Sequence, residues 1–351
     1  MSTVTGRRRT SSASSRRSHL RLGAVVGGLV GLGLTAWLFA SYGIVRIFEV
    51  LAHAGWLGVL VVVAFHLPQM LFSALAWQSI AGTAGVPAGD PPPRLPTYLL
   101  LRWIREAVNN LLPLAAVGGE FVVPRLLHRR GVRLAQAVGS TIADLMLELG
   151  TQVVFTLLGI VLLVHVVGHN EVSDLATRAS LLGALVVAGA FVALWLGLAR
   201  VIERAVLRLG RSFGWPATAA IGGLHDALTG CFRAPVRVAL AALWHLVSWL
   251  LGGIEVCLIL HFFGIDIGIV PGLIIESLGQ ALKAAGFAVP GAIGVQEGGY
   301  VVICRLLGLS PETAIALSLV KRIREVVLGI PGLILWHRVE ARAGIEPAVS
   351  A

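Results

Sequence analysis

Six stretches of this chain, 22–42, 56–80, 134–167, 179–199, 236–262 and 312–336, are long and apolar enough to cross a bilayer. A helix rises about 1.5 Å per residue, so roughly 20 residues span the hydrocarbon core. Inside lipid every backbone N–H and C=O must find its partner within the protein, which restricts spanning segments to helices or closed barrels. Continuous runs of this length are helices. Composition agrees: 56% of residues are hydrophobic and 13% charged, against about 25% charged in soluble domains. The expected fold is an all-α polytopic integral membrane protein, and a soluble enzyme is excluded.

The net charge of +10 is unevenly placed. Arg7, Arg8, Arg9, Arg16, Arg17 and Arg21 precede the first apolar run, and Arg200, Arg204, Arg208, Arg211, Arg233 and Arg237 crowd one connection. Arginines flanking spans mark the cytoplasmic side. Six crossings then return the C-terminus, with Arg338 and Arg342, to that side, and the 200–235 connection falls there too. No basic stretch is interleaved with aromatics as single-strand binders require, so nucleic acid is not an expected partner. Residues 1–20 are Ser/Arg-rich and read as a disordered tail, 21–340 as one membrane domain, and 341–351 as a second tail. The run after the first tail ends in "LFASYG", a poor cleavage site, and reads as a retained anchor. Cys231, Cys257 and Cys304 form no CxxC pair and read as small apolar residues.

Two segments are left over, one too polar to face lipid and one more apolar but charged along one face. The first, 96–120, carries Arg102, Arg105, Glu106, Asn109 and Asn110; the second, 268–297, carries Glu276, Gln280 and Lys283 on one helical face. Each ends where proline and glycine break a helix, at "NNLLPLAAVGGE" and "AAGFAVPGAIGVQE". Re-entrant helices hinged at Pro113, Gly118, Gly119 and at Pro290, Gly291, Gly294 fit both, because irregular backbone survives at membrane depth only inside protein or along a wet cavity. A surface amphipathic helix is the competing reading for the first segment.

The two segments are also copies. Pro113 to Pro290 is 290 − 113 = 177 residues, and the same step joins Glu120 to Glu297, Gly131 to Gly308, Ala137 to Ala314 and Glu148 to Glu325. "FHL" at 65–67 answers "WHL" at 244–246. An odd number of crossings separates equivalent spans, so the units, about 56–200 and 236–340, are expected to be inverted. Inverted units with broken polar helices build alternating-access transporters.

Charges within spans are functional candidates. Asp144, Glu148 and Gln152 share a face, and the matching span carries Lys321, Arg322, Arg324 and Glu325, with Asp144 in the slot of Lys321. Arg102, Arg105, Lys283, Lys321 and Arg324 are expected to receive an anionic headgroup, with Asn109 and Asn110 lining the cavity. Glu120, Glu148, Glu297 and Glu325 would orient these cations or carry protons. The competing reading is a set of ion pairs that only locks the bundle. His66 and His245 repeat within the FHL/WHL pair and suit a buried contact, whereas His165 and His169 lack a third metal ligand. No GxSxG elbow and no GxxxxGKS loop occurs, so neither a serine nucleophile nor ATP is expected, and no cofactor or metal is expected.

"RxxxNNLLPxxxVGGE", "RLLHRRGV" and "VPGAIGVQEGG", over roughly residues 20 to 340, resemble the membrane domain of lysylphosphatidylglycerol synthases and its stand-alone flippase-like relatives. The resemblance implies movement of lipid between leaflets of a bacterial inner membrane. It supports Arg105, Asn109, Pro113, Gly118, Gly119 and Glu120 in the first unit and Pro290, Gly291, Gly294 and Glu297 in the second. The chain ends at Ala351 with no soluble synthase part, so aminoacyl transfer is not expected. The short Gly/Ala-rich form is also similar to membrane proteins associated with hopanoid synthesis, which implies an anionic phospholipid or a hopanoid as cargo and lipid-biosynthesis enzymes as partners. The alternatives are a membrane-embedded lipid transferase and a non-catalytic scaffold.

Overall fold

The computed structural model describes residues 44–82, 92–112, 118–168, 223–286, 292 and 294–343, with single positions between 174 and 204. The expected span at 22–42, the tail 1–20, most of the span 179–199 and of the tail 341–351, and Pro113, Pro290 and Gly291 lie outside the described residues.

The described residues are mostly helical, with no strand among them. In chain order the helices are α1 (Ile44–Ala81), α2 (Leu95–Leu111), α3 (Gly119–His128), α4 (Leu134–Val167), α5 (Leu224–Cys231), α6 (Pro235–Phe262), α7 (Ile269–Ala285), α8 (Val295–Leu306) and α9 (Pro311–Ala343). Among the described residues three helical segments are long and apolar enough to cross a membrane: Gly55–Ala81, Leu134–Val167 and Pro235–Phe262. The expected span at 312–336 is helical within α9, but Lys321, Arg322, Arg324 and Glu325 fall in its middle and make it the least apolar of the long helices. Val154, Leu158 and Val161 point outward from α4, an apolar face that suits lipid contact.

The order long, 17-residue, short, long occurs twice, as α1–α4 and as α6–α9, with α5 between. Gly131 and Gly308, 177 residues apart, both adopt positive φ (90° and 78°) at the turn before the last helix of each unit. That turn demands glycine, so its recurrence is a backbone requirement met twice.

The first helices of the two units run antiparallel. Gly58 of α1 faces Phe262 of α6, Gln69 meets Glu255, Ser73 meets Ser248, and Gly82 faces Arg237. Partner numbers fall along α6 as they rise along α1, the relation an inverted repeat requires. The last helix of each unit packs on the second helix of the other, α4 on α7 and α9 on α2. Gln152 Nε2 donates to the Gln280 carbonyl (3.1 Å) and Trp103 Nε1 to the Leu328 carbonyl (2.7 Å). Trp103 and Gln280 are 280 − 103 = 177 residues apart, so these cross-unit bonds stand at corresponding places.

Each unit has its own apolar core. One gathers Trp77, Tyr98, Leu101, Val123 and Ala137 around α1–α4 and borrows Ala241 from α6. The other gathers Val256, Ile274, Tyr300 and Ile315 around α6–α9 and borrows Ile160 and Leu163 from α4. In α2 the residues Tyr98, Leu101, Arg102, Ile104, Arg105, Ala107 and Val108 are all buried, so this helix is not a surface amphipathic one. Charged side chains fill the seam between the cores.

Candidate functional site

Helical spacing assembles the seam. Positions 102, 105, 106 and 109 of α2 share one face, and 144 and 148 share a face of α4. Arg102 grips Glu148 with both terminal nitrogens (3.0 and 2.6 Å) and donates from Nε to Glu106 (2.9 Å). Arg105 uses all three nitrogens on three carboxylates: Nε on Glu120 (2.6 Å), Nη1 on Asp144 (2.7 Å) and Nη2 on Glu148 (3.0 Å). The planar five-donor guanidinium is the side chain able to do this. His245, from α6, reaches Asp144 from the opposite side (3.1 Å).

The second unit holds a parallel set. Lys321 pairs with Glu276, which also accepts from Gln280. Lys283 Nζ donates to Glu325 (2.6 Å) and reaches across to Asn110 (3.4 Å). Arg324 pairs with Glu255, a carboxylate that accepts from Gln69 of the other unit as well (2.7 Å). The sign of the central pair is exchanged between units. In the first, the cation (Arg105) is on the second helix and the anion (Asp144) on the last; in the second, the anion (Glu276) is on the second helix and the cation (Lys321) on the last.

The repeated glutamates do corresponding jobs. Glu120 opens α3, accepts from Arg105 and Asn109, and sits beside Gly119, whose N–H donates to Asn109 Oδ1 (2.8 Å). Glu297 opens the equivalent α8 and accepts from Gly294 N–H (2.6 Å), Ser318 (3.1 Å) and Arg322 (3.3 Å). Negative charge in a helix's first turn is favourable, and each glutamate ties the segment following a break to an arginine. Gly294, with φ of 81°, makes the entry to α8, and Gly118 is buried at the entry to α3.

Gly119 is required for a different reason. A Cβ there would lie 2.7 Å from the Arg105 carbonyl oxygen and 3.0 Å from its Cα. Those are backbone atoms that cannot rotate away. Gly119→Ala is therefore expected to cost about 1–3 kcal/mol and to lower the thermal midpoint of the purified protein. Gly298→Ala in α8, whose methyl meets nothing within 4 Å, is the control and should leave the midpoint unchanged or slightly raised. Equal midpoints for the two would remove the packing argument.

Between the units lies a small cleft lined by His66, Trp103, Glu106, Ala107, Asn110, Arg324, Glu325, Leu328 and Gly329, with free volume of ≈ 10 Å³, space for about one water. Arg324 Nε is buried without a hydrogen-bond partner among the described residues, and Arg324 lines this cleft. All five cations expected to meet a headgroup thus stand in one seam, each held by a carboxylate. His66, Glu106, Glu255, Glu276 and Arg322 belong to the same seam although the sequence reading left them off the site. Glu255 had a legible signal, a lone carboxylate in the middle of a 28-residue apolar helix.

Helical spans, antiparallel repeated units and a charged interior define a multi-pass α-helical membrane protein. The family model of the lysylphosphatidylglycerol synthase TM region matches residues 24–332, and the chain belongs to that family. No curated protein matches the chain, and no solved structure does.

Proposed function

We propose that this protein moves a polar-headed lipid between the leaflets of the bacterial inner membrane, with both termini cytoplasmic and without a covalent step. The observation that carries the reading is a charged cleft at the joint of two inverted units, holding a buried arginine donor without a partner among the described residues. A headgroup cannot cross hydrocarbon unaided, because an uncompensated charge there costs several kcal/mol. A seam of exchangeable ion pairs supplies substitutes for water along the route. An anionic headgroup, of a phospholipid or a derivatised hopanoid, would replace a carboxylate at Arg324 or Lys283 while the tails stay in lipid.

The competing reading, a locked bundle, is favoured by the completeness of the pairing. Leaflet-resolved movement of phosphatidylglycerol in proteoliposomes separates the two. Lys283, with 26% of its side chain exposed, is the least confined cation of the seam. Lys283→Gln removes a charged donor worth about 1.5–3 kcal/mol, so movement should slow roughly tenfold or more while the protein stays monodisperse. Wild-type vesicles that move lipid no faster than protein-free ones would sink the proposal.

A further inference from the structure

His66 stands in α1 with both ring nitrogens on carboxylates: Nδ1 is 3.3 Å from Glu255 Oε2 and Nε2 is 3.4 Å from Glu106 Oε2. An ionised carboxylate only accepts hydrogen bonds, and a neutral imidazole has one N–H and one lone pair. A neutral ring can satisfy one of these contacts and must turn its lone pair on the other. An imidazolium donates to both. Each carboxylate also accepts from an arginine, Glu106 from Arg102 and Glu255 from Arg324, and an imidazolium supplies each of them with a second donor.

Charges of both signs surround the ring. Around the ring stand Glu255 from α6, Glu106 and Arg102 from α2, Arg324, Lys321 and Glu325 from α9, and Glu148 of α4 behind Arg102. The ion-paired seam described above contains more carboxylates than permanent cations. In a medium of low dielectric such an excess is costly unless protons offset it. The ring also joins the ions of one unit to those of the other, through Arg102, Glu106, His66, Glu255 and Arg324 in turn. It does so at the wall of the cleft.

We propose that the Glu106–His66–Glu255 bridge is a proton-binding site, and that loading and release of its proton couples lipid movement to proton movement across the membrane. The coupling rests on the lipid-moving reading; the site does not. With the proton bound, the ring ties the two units together over the cleft. Release passes the Nε2 proton to water in the cleft and leaves a lone pair against the Glu106 carboxylate. The contact becomes repulsive, the units part on that side, and the cleft admits a headgroup. A proton taken up from the opposite face restores the imidazolium and closes the bridge.

The test uses the full chain in phosphatidylglycerol proteoliposomes, with a pH gradient imposed in each direction. A gradient of about one unit should change the wild-type rate by up to about tenfold, with opposite signs for the two directions, and a lumenal pH dye should report protons moving with lipid. His66→Gln removes the titrating ring. Glu106→Gln lets a neutral ring accept from the new amide, so the bridge survives without its proton and folding is preserved. Both variants should lose the response to the gradient. Wild-type movement indifferent to the gradient would overturn the coupling and leave the lipid reading standing. Wild-type vesicles that move no lipid would overturn that reading and the coupling together. The site is then decided by ¹⁵N histidine spectra of the purified chain at neutral pH, assigned by the signal lost in His66→Gln: two protonated ring nitrogens support it, and a neutral ring rejects it.

Discussion

Arg105→Ala is expected to be the most destabilising single substitution in the membrane domain. The guanidinium is buried and lies within 3.0 Å of oxygens on Glu120, Asp144 and Glu148. Truncation leaves Asp144, itself fully buried, facing His245 alone among the described residues and strips Glu120 of its closest partner. Removing one side of a buried ion pair costs about 3–5 kcal/mol because the remaining charge is uncompensated, and here three charges are affected. The purified variant should lose its monodisperse peak at temperatures the wild type withstands, or fail to accumulate. Arg105→Lys should recover only part of the loss, since an ammonium is a point charge that cannot fork to three carboxylates. A variant as heat-resistant as wild type would mean the network contributes no net stability.

The second large effect concerns Lys321 and Glu276, whose side chains are 2% and 4% exposed. Lys321→Met alone should cost about 3–5 kcal/mol by stranding Glu276. The double substitution Lys321→Met with Glu276→Leu should return stability to the wild-type level or raise it by about 1–4 kcal/mol, because well-packed apolar groups replace a buried pair without the desolvation penalty. Thermal midpoints of the three variants decide this. If the double is as unstable as the single, the pair is tied to more than its partner. Lipid movement by the double variant then distinguishes a locking pair from a headgroup contact.

The repeat was legible because it is written in residues with backbone meaning. Proline, glycine and first-turn glutamate recur at one register, and Gly131 and Gly308 recur because the same left-handed turn is needed twice. The polar face of α2 was legible from its spacing, since arginine and asparagine cannot face lipid. Which carboxylate meets which cation was not legible. Arg105 reaches Asp144 and Glu148 through the crossing of two helices, and Lys283 reaches Glu325 across a third. Those geometries are tertiary and leave no period in the chain. Glu255 went unclaimed because no second charge stands near it in its apolar run. His66 was read as a buried contact, but its two carboxylates come from residues 40 and 189 positions away, beyond any local pattern.

The exchange of sign between Asp144 and Lys321 has an electrical consequence. For two spanning units related by inversion, the two-fold axis lies in the plane of the membrane. Two dipoles related by such an axis cancel their components along the membrane normal. Reversing one of them turns that cancellation into addition. On that symmetry a cation–anion exchange between corresponding helices, as in Arg105–Asp144 and Lys321–Glu276, is expected to make the normal components add and the arrangement respond to a transmembrane voltage.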